Sequence, residues 1–276
     1  MGGKAKYIKR IEIDNLWGRL TVKWDLHPDV NILSGINGVG KTTILNRVIG
    51  FLEEHEGEHI TPTDAITAVN VIFDNPEAKY VAYNVIRSYD RPLMIKEVTT
   101  KVDRNVRSEL DWQLYLLQRK YLDYQVNIGN QMIEYLNSDD AEVRKKATEV
   151  AYNKKRFQDL IDELFSYTRK TIDRSRNDIA FRQHGELLLP YQLSSGEKQI
   201  LLILLTVLVQ DFKPYVLFMD EPEASLHIEW QQRLISIVRE LNPNVQLILT
   251  THSPAVIMEG WLDAVTEVSD ISVLKE

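Results

Sequence analysis

The sequence predicts an α/β protein with a mixed β-sheet flanked by helices and an inserted helical subdomain. Three observations indicate this class. Short apolar strands alternate with amphipathic helices in the C-terminal part of the 276-residue chain, which favours a parallel sheet. Near the N-terminus, a glycine-rich segment joins an apolar strand to a helix. Between them lies a long stretch of helical composition that contains one Gly and no Pro.

The first part of the chain is predicted to be a set of strands followed by a helix. Short apolar or alternating runs bounded by turn formers predict strands over 7–13, 20–24 and 30–33. The segment 41–54 has apolar residues at three- and four-residue spacing. We therefore expect a helix there, directly after the glycine-rich segment.

Two further strands are predicted over 66–73 and 79–86. The residues Asn75-Pro76 between them are typical of a turn. We therefore expect these two strands to pair antiparallel.

The middle of the chain is predicted to be helical. One apolar stripe steps by three and four residues and is formed by Leu110, Leu114, Leu117, Tyr121, Tyr124 and Ile128. Gly129 is a position where this helix could be interrupted. A second stripe is formed by Ala147, Val150, Ala151, Phe157, Ile161, Leu164 and Phe165. It predicts a returning helix that pairs with the first.

The C-terminal part returns to an α/β alternation. The apolar patterns predict a helix over 197–209, a strand over 215–219, a helix over 228–241 and a strand over 246–250. The predicted organisation is therefore a core in two parts, 1–103 and 184–276, interrupted by an inserted helical subdomain over 104–183.

The composition limits the chemistry and the location of the protein. Cysteine is absent, which excludes disulfides, zinc-thiolate sites and thiol nucleophiles. The longest apolar run, 200–209, is too short to cross a bilayer. We expect a soluble, cytoplasmic protein without membrane insertion. The net charge of -7 argues against a surface coated in positive potential, although it leaves room for a local basic patch.

The glycine-rich segment matches the P-loop pattern in full. It reads Gly35-Ile36-Asn37-Gly38-Val39-Gly40-Lys41-Thr42 and stands between a predicted strand and a predicted helix. Backbone amides at the helix start bind phosphate oxygens, Lys41 reaches the β- and γ-phosphates, and Thr42 offers a hydroxyl to Mg²⁺. We predict that ATP is bound through Asn37, Gly38, Gly40, Lys41, Thr42 and Thr43. The alternative is a glycine-rich turn followed by a chance Lys-Thr pair.

Two adjacent carboxylates follow the apolar strand predicted over 215–219. In parallel sheets, ligands bind at the carboxyl ends of the strands, where Asp220 and Glu221 are expected. We predict that Asp220 holds Mg²⁺ and that Glu221 orients or deprotonates the attacking water. Taken alone, Asp-Glu-Pro would more commonly be a helix N-terminal cap.

A serine-rich motif precedes the apolar helix predicted over 197–209. Its residues Leu193-Ser194-Ser195-Gly196-Glu197-Lys198-Gln199 would by themselves indicate a helix cap. Together with the P-loop and Asp220-Glu221, however, the motif resembles the signature of ABC ATPases, in the form found in the RecF, SMC and OLD-like group. Ser195 stands where the usual signature has a second Gly.

Two further motifs extend this resemblance. The segment Glu223-Ala224-Ser225-Leu226-His227 looks like the D-loop, and Thr250-Thr251-His252-Ser253-Pro254 looks like the segment that carries the switch histidine. His252 follows a strand end, so it is expected to contact the γ-phosphate and hold the lytic water. The alternative is a structural loop histidine. His227 is interpreted as structural or as a support of the D-loop.

Two residues are weaker candidates for the nucleotide site. The family implies a Mg²⁺-sensing glutamine, and Gln113 is the candidate, against the alternative of an exposed helix residue. An aromatic ring that stacks on adenine is expected upstream of Lys41, where Trp17 is the candidate. Tryptophans in loops more often pack on the core.

A basic strip within 141–182 contains Arg144, Lys145, Lys146, Lys154, Lys155 and Arg156. It could contact phosphates of a nucleic acid. Because acidic residues are interleaved, a solvated helix face of mixed charge is the alternative.

The resemblance implies an ABC-ATPase head whose ATP molecules lie between two subunits. Each ATP would be held by the P-loop of one copy and by Ser194, Ser195, Gly196 and Glu197 of the other, in a head-to-tail homodimer. We expect hydrolysis to drive a nucleic-acid-linked or phage-defence process through a separate effector protein. The alternatives are the ATPase subunit of a membrane transporter and a non-catalytic, ATP-dependent scaffold.

Overall fold

A computed structural model describes residues 3–54, 69–87 and 105–274, which form two compact units. The first unit contains the described residues of Met1–Ser88, Phe212–Arg239 and Pro243–Glu276. The second unit contains those of Tyr89–Asp211 and Glu240–Asn242. The boundary expected at 103/104 lies outside the described residues, and the three-part division stays a prediction.

The strands, in chain order, are β1 (Lys4–Ala5), β2 (Ile8–Leu16), β3 (Leu20–Asp25), β4 (Val30–Ser34), β5 (Val69–Phe73), β6 (Tyr80–Val81), β7 (Tyr83–Arg87), β8 (Thr171–Ile172), β9 (Phe181–Gln183), β10 (Glu186–Leu188), β11 (Tyr215–Asp220), β12 (Val245–Thr250), β13 (Val265–Glu267) and β14 (Ser272–Leu274).

The α-helices are α1 (Lys41–Glu54), α2 (Glu109–Leu136), α3 (Ala141–Lys146), α4 (Tyr152–Leu164), α5 (Ser195–Leu208), α6 (Ile228–Leu241), α7 (Pro254–Met258) and α8 (Val268–Ile271). Most of the predicted elements are present, with bounds that differ by a few residues.

The first unit is built on a parallel sheet. Its strand order is β13-β4-β12-β11-β7, and each neighbouring pair is parallel. All residues of β11 and β12 are buried, as expected for central strands covered on both faces. An antiparallel sheet of order β14-β3-β2-β5 accompanies it. The predicted α/β class is confirmed, with parallel and antiparallel strands segregated into separate sheets.

Helix α1 packs in the core of the first unit. Its apolar face, which includes Ile44 and Val48, joins one hydrophobic cluster with residues of β2 and with Val216 and Phe218 of β11. The helix begins directly at Lys41. This packing fixes the start of α1 at the carboxyl edge of the parallel sheet.

The expected antiparallel pairing of the strands around Asn75-Pro76 is wrong. β5 pairs antiparallel with β2, whereas β7 pairs parallel with β11 and extends the other sheet. The turn leads first into β6, which pairs with β1. Residues 66–68 of the predicted strand lie outside the described residues.

The second unit is mainly helical. The predicted stripe of α2 is buried from Leu110 to Ile128, and the helix continues through Gly129 without a break. Helices α2 and α4 both pack on α5, which is buried almost all round. The returning helix therefore differs from the simple hairpin that was predicted, although the rings of Tyr121 and Phe157 do meet, 6.4 Å apart.

Candidate active site

The P-loop connects β4 to α1 in the first unit. Gly35, Gly38 and Gly40 have positive φ angles of 148°, 83° and 107°, a backbone that side chains other than glycine rarely adopt. The Lys41 ammonium donates to the carbonyl oxygens of Gly35 (2.9 Å) and Ile36 (3.4 Å). The loop thus curls around its lysine, and its glycines give it the backbone freedom that a phosphate-binding loop uses.

A carboxylate and two hydroxyls meet where β11 and β12 end. Asp220 Oδ1 accepts hydrogen bonds from Thr42 Oγ1 (3.0 Å) and from Thr250 Oγ1 (2.6 Å). The oxygens of Thr42 and Asp220 are the hard ligands that Mg²⁺ prefers, so this pair fits the cation. Within the described ranges, no group of three or more His, Asp or Glu side chains forms a metal cluster. Phosphates and waters would supply the remaining ligands.

Glu221 and His252 face one another at the same edge. The distance between Glu221 Oε1 and His252 Nδ1 is 3.4 Å, and the two side chains are 19% and 49% exposed. Glu221 has a φ of 46°, which is strained for a residue with a side chain. Its amide donates to the Thr250 carbonyl (3.1 Å) and Thr250 Oγ1 (3.0 Å), and these bonds hold the strained turn.

Trp17 lies against the P-loop. At the end of β2 and in the turn that follows it, Asn15, Trp17 and Gly18 have positive φ angles. A Cβ added at Gly40 would stand 2.1 Å from Trp17 Cη2, so glycine is required there. The indole is therefore a neighbour of the loop and is 47% exposed. Stacking on adenine stays a prediction.

The signature motif lies at the start of α5 in the second unit. Ser194 is the N-cap: its hydroxyl accepts from the amide of Glu197, while the carboxylate of Glu197 accepts from the amide of Ser194. The serine pair Ser194 and Ser195 is exposed. The motif thus forms a helix cap and still presents serines to the solvent.

The side chain of Glu197 is buried and is bonded to other residues of the second unit. Its carboxylate is 2% exposed and accepts from Lys170 Nζ (2.8 and 2.9 Å) and from Thr168 Oγ1 (2.9 Å). Burial raises the pKa of Glu197, but hydrogen bonds from Lys170, Ser194 and Thr168 outweigh it, so the net pKa is lowered. A direct contact of Glu197 with nucleotide stays a prediction.

A second buried ion pair fastens the same helix start. Lys198 Nζ donates to Asp111 Oδ1 at 2.8 Å, and Asp111 also accepts from the amides of Arg107 and Ser108 at the start of α2. The next turn of α2 carries Gln113, whose amide donates to Glu109 (3.3 Å). Its role toward Mg²⁺ stays a prediction.

The basic strip is largely neutralised within the chain. Lys145 pairs with Glu142, Lys155 with Asp159, and Arg156 with Glu240, while the Arg144 guanidinium donates to a backbone carbonyl. Lys154 donates to Gln125, and burial lowers its pKa. These pairs reduce the positive potential available to phosphates, and nucleic-acid binding stays a prediction.

Sequence reasoning gave no individual role to four residues that the structure brings to this edge. They are Glu223, Gln231, Thr250 and Thr251. The threonine pair that ends an apolar strand, and the acidic residue two positions after Glu221, are the signals that could have indicated them.

A comparison with protein families decides what kind of domain carries this site. The model of the AAA domain family described as putative AbiEii toxin, Type IV TA system, matches residues 110–259, more than half of the chain. The chain belongs to this family. The match contains the signature motif, Asp220-Glu221 and His252 of this ATPase domain.

Individual relatives agree with this assignment. The chain is 25% identical to the Septu protein PtuA of Bacillus thuringiensis, over 93% of this chain and 74% of that protein. It is 30% identical to the Retron Ec83 probable ATPase of Escherichia coli, over 38% of this chain and 22% of that protein.

A solved structure agrees with the predicted fold. The Smc head bound to the C-winged helix domain of ScpA superposes with a TM-score of 0.52 at 13% identity, over 98% and 97% of the two chains. The expected head-domain fold is therefore confirmed. In the part of the chain that the structure describes, we find no helix with the length and apolarity that a membrane span needs.

Proposed function

We propose that this domain binds ATP with Mg²⁺ and hydrolyses it in a site completed by a second copy. The observation that carries the proposal is the convergence of Lys41, Thr42, Asp220, Glu221 and His252 at one edge of the parallel sheet. The family and the relatives support the ATPase class.

The P-loop and Asp220 form the binding half of this site. Lys41 would exchange its bonds to the loop carbonyls for phosphate oxygens, which are better partners for an ammonium. Thr42 and Asp220, already hydrogen-bonded to each other, would hold Mg²⁺. When bound, Mg²⁺ would neutralise the charge that develops on the phosphates.

Glu221 and His252 form the hydrolytic half. Glu221 is positioned to accept a proton from water, because its carboxylate is partly exposed at the same strand end as Asp220. His252 places Nδ1 at 3.4 Å from this carboxylate and keeps an exposed ring for the γ-phosphate. The strained turn at Glu221 supports a functional assignment, because such strain concentrates at active sites.

The signature motif supports the use of two copies. Ser194 and Ser195 are exposed at the N-terminus of a 14-residue helix, where amides and hydroxyls favour an anion. We propose that these groups of one copy complete the γ-phosphate site of the other. ATP would then join the copies, and hydrolysis would separate them.

The process that this cycle drives is proposed to be nucleic-acid-linked or phage-defence-related, through a separate effector protein. The similarity to the Septu protein PtuA and to a retron ATPase supports this placement. Pull-down with the ATP-trapped Glu221→Gln variant from its own cell extract would identify the effector.

The test of the composite site uses Glu221→Gln, which keeps the side-chain shape but cannot act as a base. We expect this variant to retain ATP and to accumulate as a dimer, measured by size-exclusion chromatography with light scattering. Glu229→Gln, an exposed glutamate on α6, is the matched control and should turn over ATP normally. A Glu221→Gln protein that stays monomeric with full turnover would contradict the proposal.

A further inference from the structure

Glu223 is a buried carboxyl that the mechanism above leaves unused. It is 3% exposed and lies two residues after Glu221. Its Oε1 accepts hydrogen bonds from Thr251 Oγ1 and from the backbone amide of His252 (3.4 Å). Among the described residues, no donor reaches Oε2. Glu223 therefore acts through one oxygen, and that oxygen is directed at the histidine segment.

Gln231 of α6 ties together the same two loops. Its Nε2 donates to the carbonyl oxygens of Leu226 (2.9 Å) and Glu223 (3.4 Å), and its Oε1 accepts from Ser253 Oγ (2.7 Å). The loop after β11 and the loop after β12 are thus joined on both sides of His252. These bonds tie the position of each loop to that of the other.

The exposure of His252 makes these bonds important. Its side chain is 49% exposed, so packing alone does not fix the ring. Two carboxylates approach the residue instead: Glu221 Oε1 lies 3.4 Å from ring Nδ1, and Glu223 Oε1 accepts from the backbone amide. The position of the ring relative to Glu221 therefore depends on where Glu223 holds the backbone.

We propose that Glu223 is a positioning residue for ATP hydrolysis, which as a hydrogen-bond acceptor fixes Thr251 and the His252 backbone and so sets the His252 ring against Glu221. The inference rests on the proposed ATPase function of this site. In this role Glu223 acts as a hydrogen-bond acceptor and does not need a negative charge, because a single oxygen accepts both bonds. Burial also raises the pKa of Glu223, which favours the neutral form.

The kinetic test compares Glu223→Ala with Glu223→Gln. Alanine removes the acceptor, and we expect kcat to fall roughly 10- to 100-fold, since small displacements of catalytic groups have effects of this size. The KM for ATP should stay within about threefold, because the P-loop is untouched. Glutamine keeps the acceptor oxygen and should restore kcat to within about threefold of the parent protein.

Two outcomes would overturn the proposal. One is a Glu223→Ala enzyme with the parent kcat. The other is a Glu223→Gln enzyme as slow as Glu223→Ala, which would show that the charge matters and the acceptor geometry does not. Glu229→Ala, at an exposed glutamate of α6, is the control for a change in surface charge.

A second measurement does not depend on turnover. In protein labelled with ¹⁵N-histidine and free of nucleotide, Glu223→Ala should shift the backbone amide and ring signals of His252, while Glu229→Ala leaves them in place. Unmoved signals would overturn the positioning role. If the parent protein fails to hydrolyse ATP, the proposed function fails, yet these signals still decide the role of Glu223.

Thr251 provides a variant in case Glu223→Ala does not fold. Thr251→Val keeps the side-chain shape and removes the donor to Glu223, whereas Thr251→Ser keeps the hydroxyl. We expect valine to lower kcat and move the His252 signals, and serine to restore both. Equal behaviour of the two variants would overturn the proposal.

Discussion

Glu221 in the first unit and Glu197 in the second unit are carboxylates with opposite surroundings. Glu221 is partly exposed, lies in a strained turn and faces a histidine. Glu197 is buried and forms a capping box with Ser194. Its carboxylate accepts hydrogen bonds from Lys170 and Thr168. Both belong to motifs that predict nucleotide contact. The comparison teaches that one residue of such a motif can be buried in the local framework while its neighbours, here Ser194 and Ser195, stay exposed.

Loss of Glu221 should have the largest effect. We expect Glu221→Gln to lower kcat by about 10²- to 10⁴-fold, the usual contribution of a general base. ATP affinity should persist, because Lys41 and Thr42 are intact. Single-turnover phosphate release checks the rate. A Glu197→Gln protein with an equal loss of kcat and unchanged stability would break the contrast between the two carboxylates.

Mixing two inactive variants tests whether the second unit acts on another copy. Lys41→Ala should lose ATP binding, and Ser195→Arg should block the exposed helix start. A mixed dimer contains one intact site, so an equimolar mixture should recover about a quarter of the parent turnover. Steady-state phosphate release checks this. A mixture with no recovery would contradict a site shared between copies.

Replacing Lys170 should lower the unfolding free energy, and its effect on catalysis should be indirect. Lys170→Met leaves the buried Glu197 carboxylate without its cation, and such a change costs about 3–5 kcal/mol of unfolding free energy. Lys145→Met, at the exposed pair with Glu142, is the matched control and should cost less than about 1 kcal/mol. Urea unfolding measures both. Similar losses of unfolding free energy in the two variants would show that the buried pair of Lys170 and Glu197 stabilises the fold no more than an exposed pair does.

The pH dependence of stability should also distinguish the buried carboxyls. The folded pKa of Glu197 is lowered, so its stabilisation is present above the unfolded value of about 4.3 and is lost as pH falls through the folded value. The folded pKa of Glu223 is raised, so its contribution is present below about 4.3 and is lost as pH rises.

Glu223→Gln should therefore give the smallest and most pH-specific change. As pH rises from 4 to 7, the unfolding free energy of the variant should increase relative to that of the parent protein. At low pH the two unfolding free energies should become equal. Thermal unfolding across this range measures the difference. A difference in unfolding free energy that does not change with pH would contradict a raised pKa for the buried Glu223 carboxyl.

Much of the architecture was predictable because local chemistry dictates it. The P-loop glycines determine the turn before α1, and three- and four-residue spacing determines the buried stripe of α2. The exposed serines and the Glu221–His252 pair also lie at the strand or helix ends where the motifs indicate them.

The remaining features depend on contacts between distant segments. The partner of β7 is set by the parallel sheet and not by the adjacent turn. The bonds from Glu197 to Lys170 and from Glu223 to Thr251 join residues 27 and 28 positions apart. Local sequence can mark such residues singly, as the Thr250-Thr251 pair does, but it does not indicate which distant residue each one contacts. The contacts of Glu197 and those around His252 therefore required the fold.

The contact between Trp17 and Gly40 gives the protein a built-in optical reporter. Indole emission responds to polarity and to stacking, and this ring is half-exposed beside the P-loop. Occupancy of the loop should therefore be readable as a change in intrinsic fluorescence without any added label. A Trp17→Phe variant isolates the signal of this ring from the other four tryptophans.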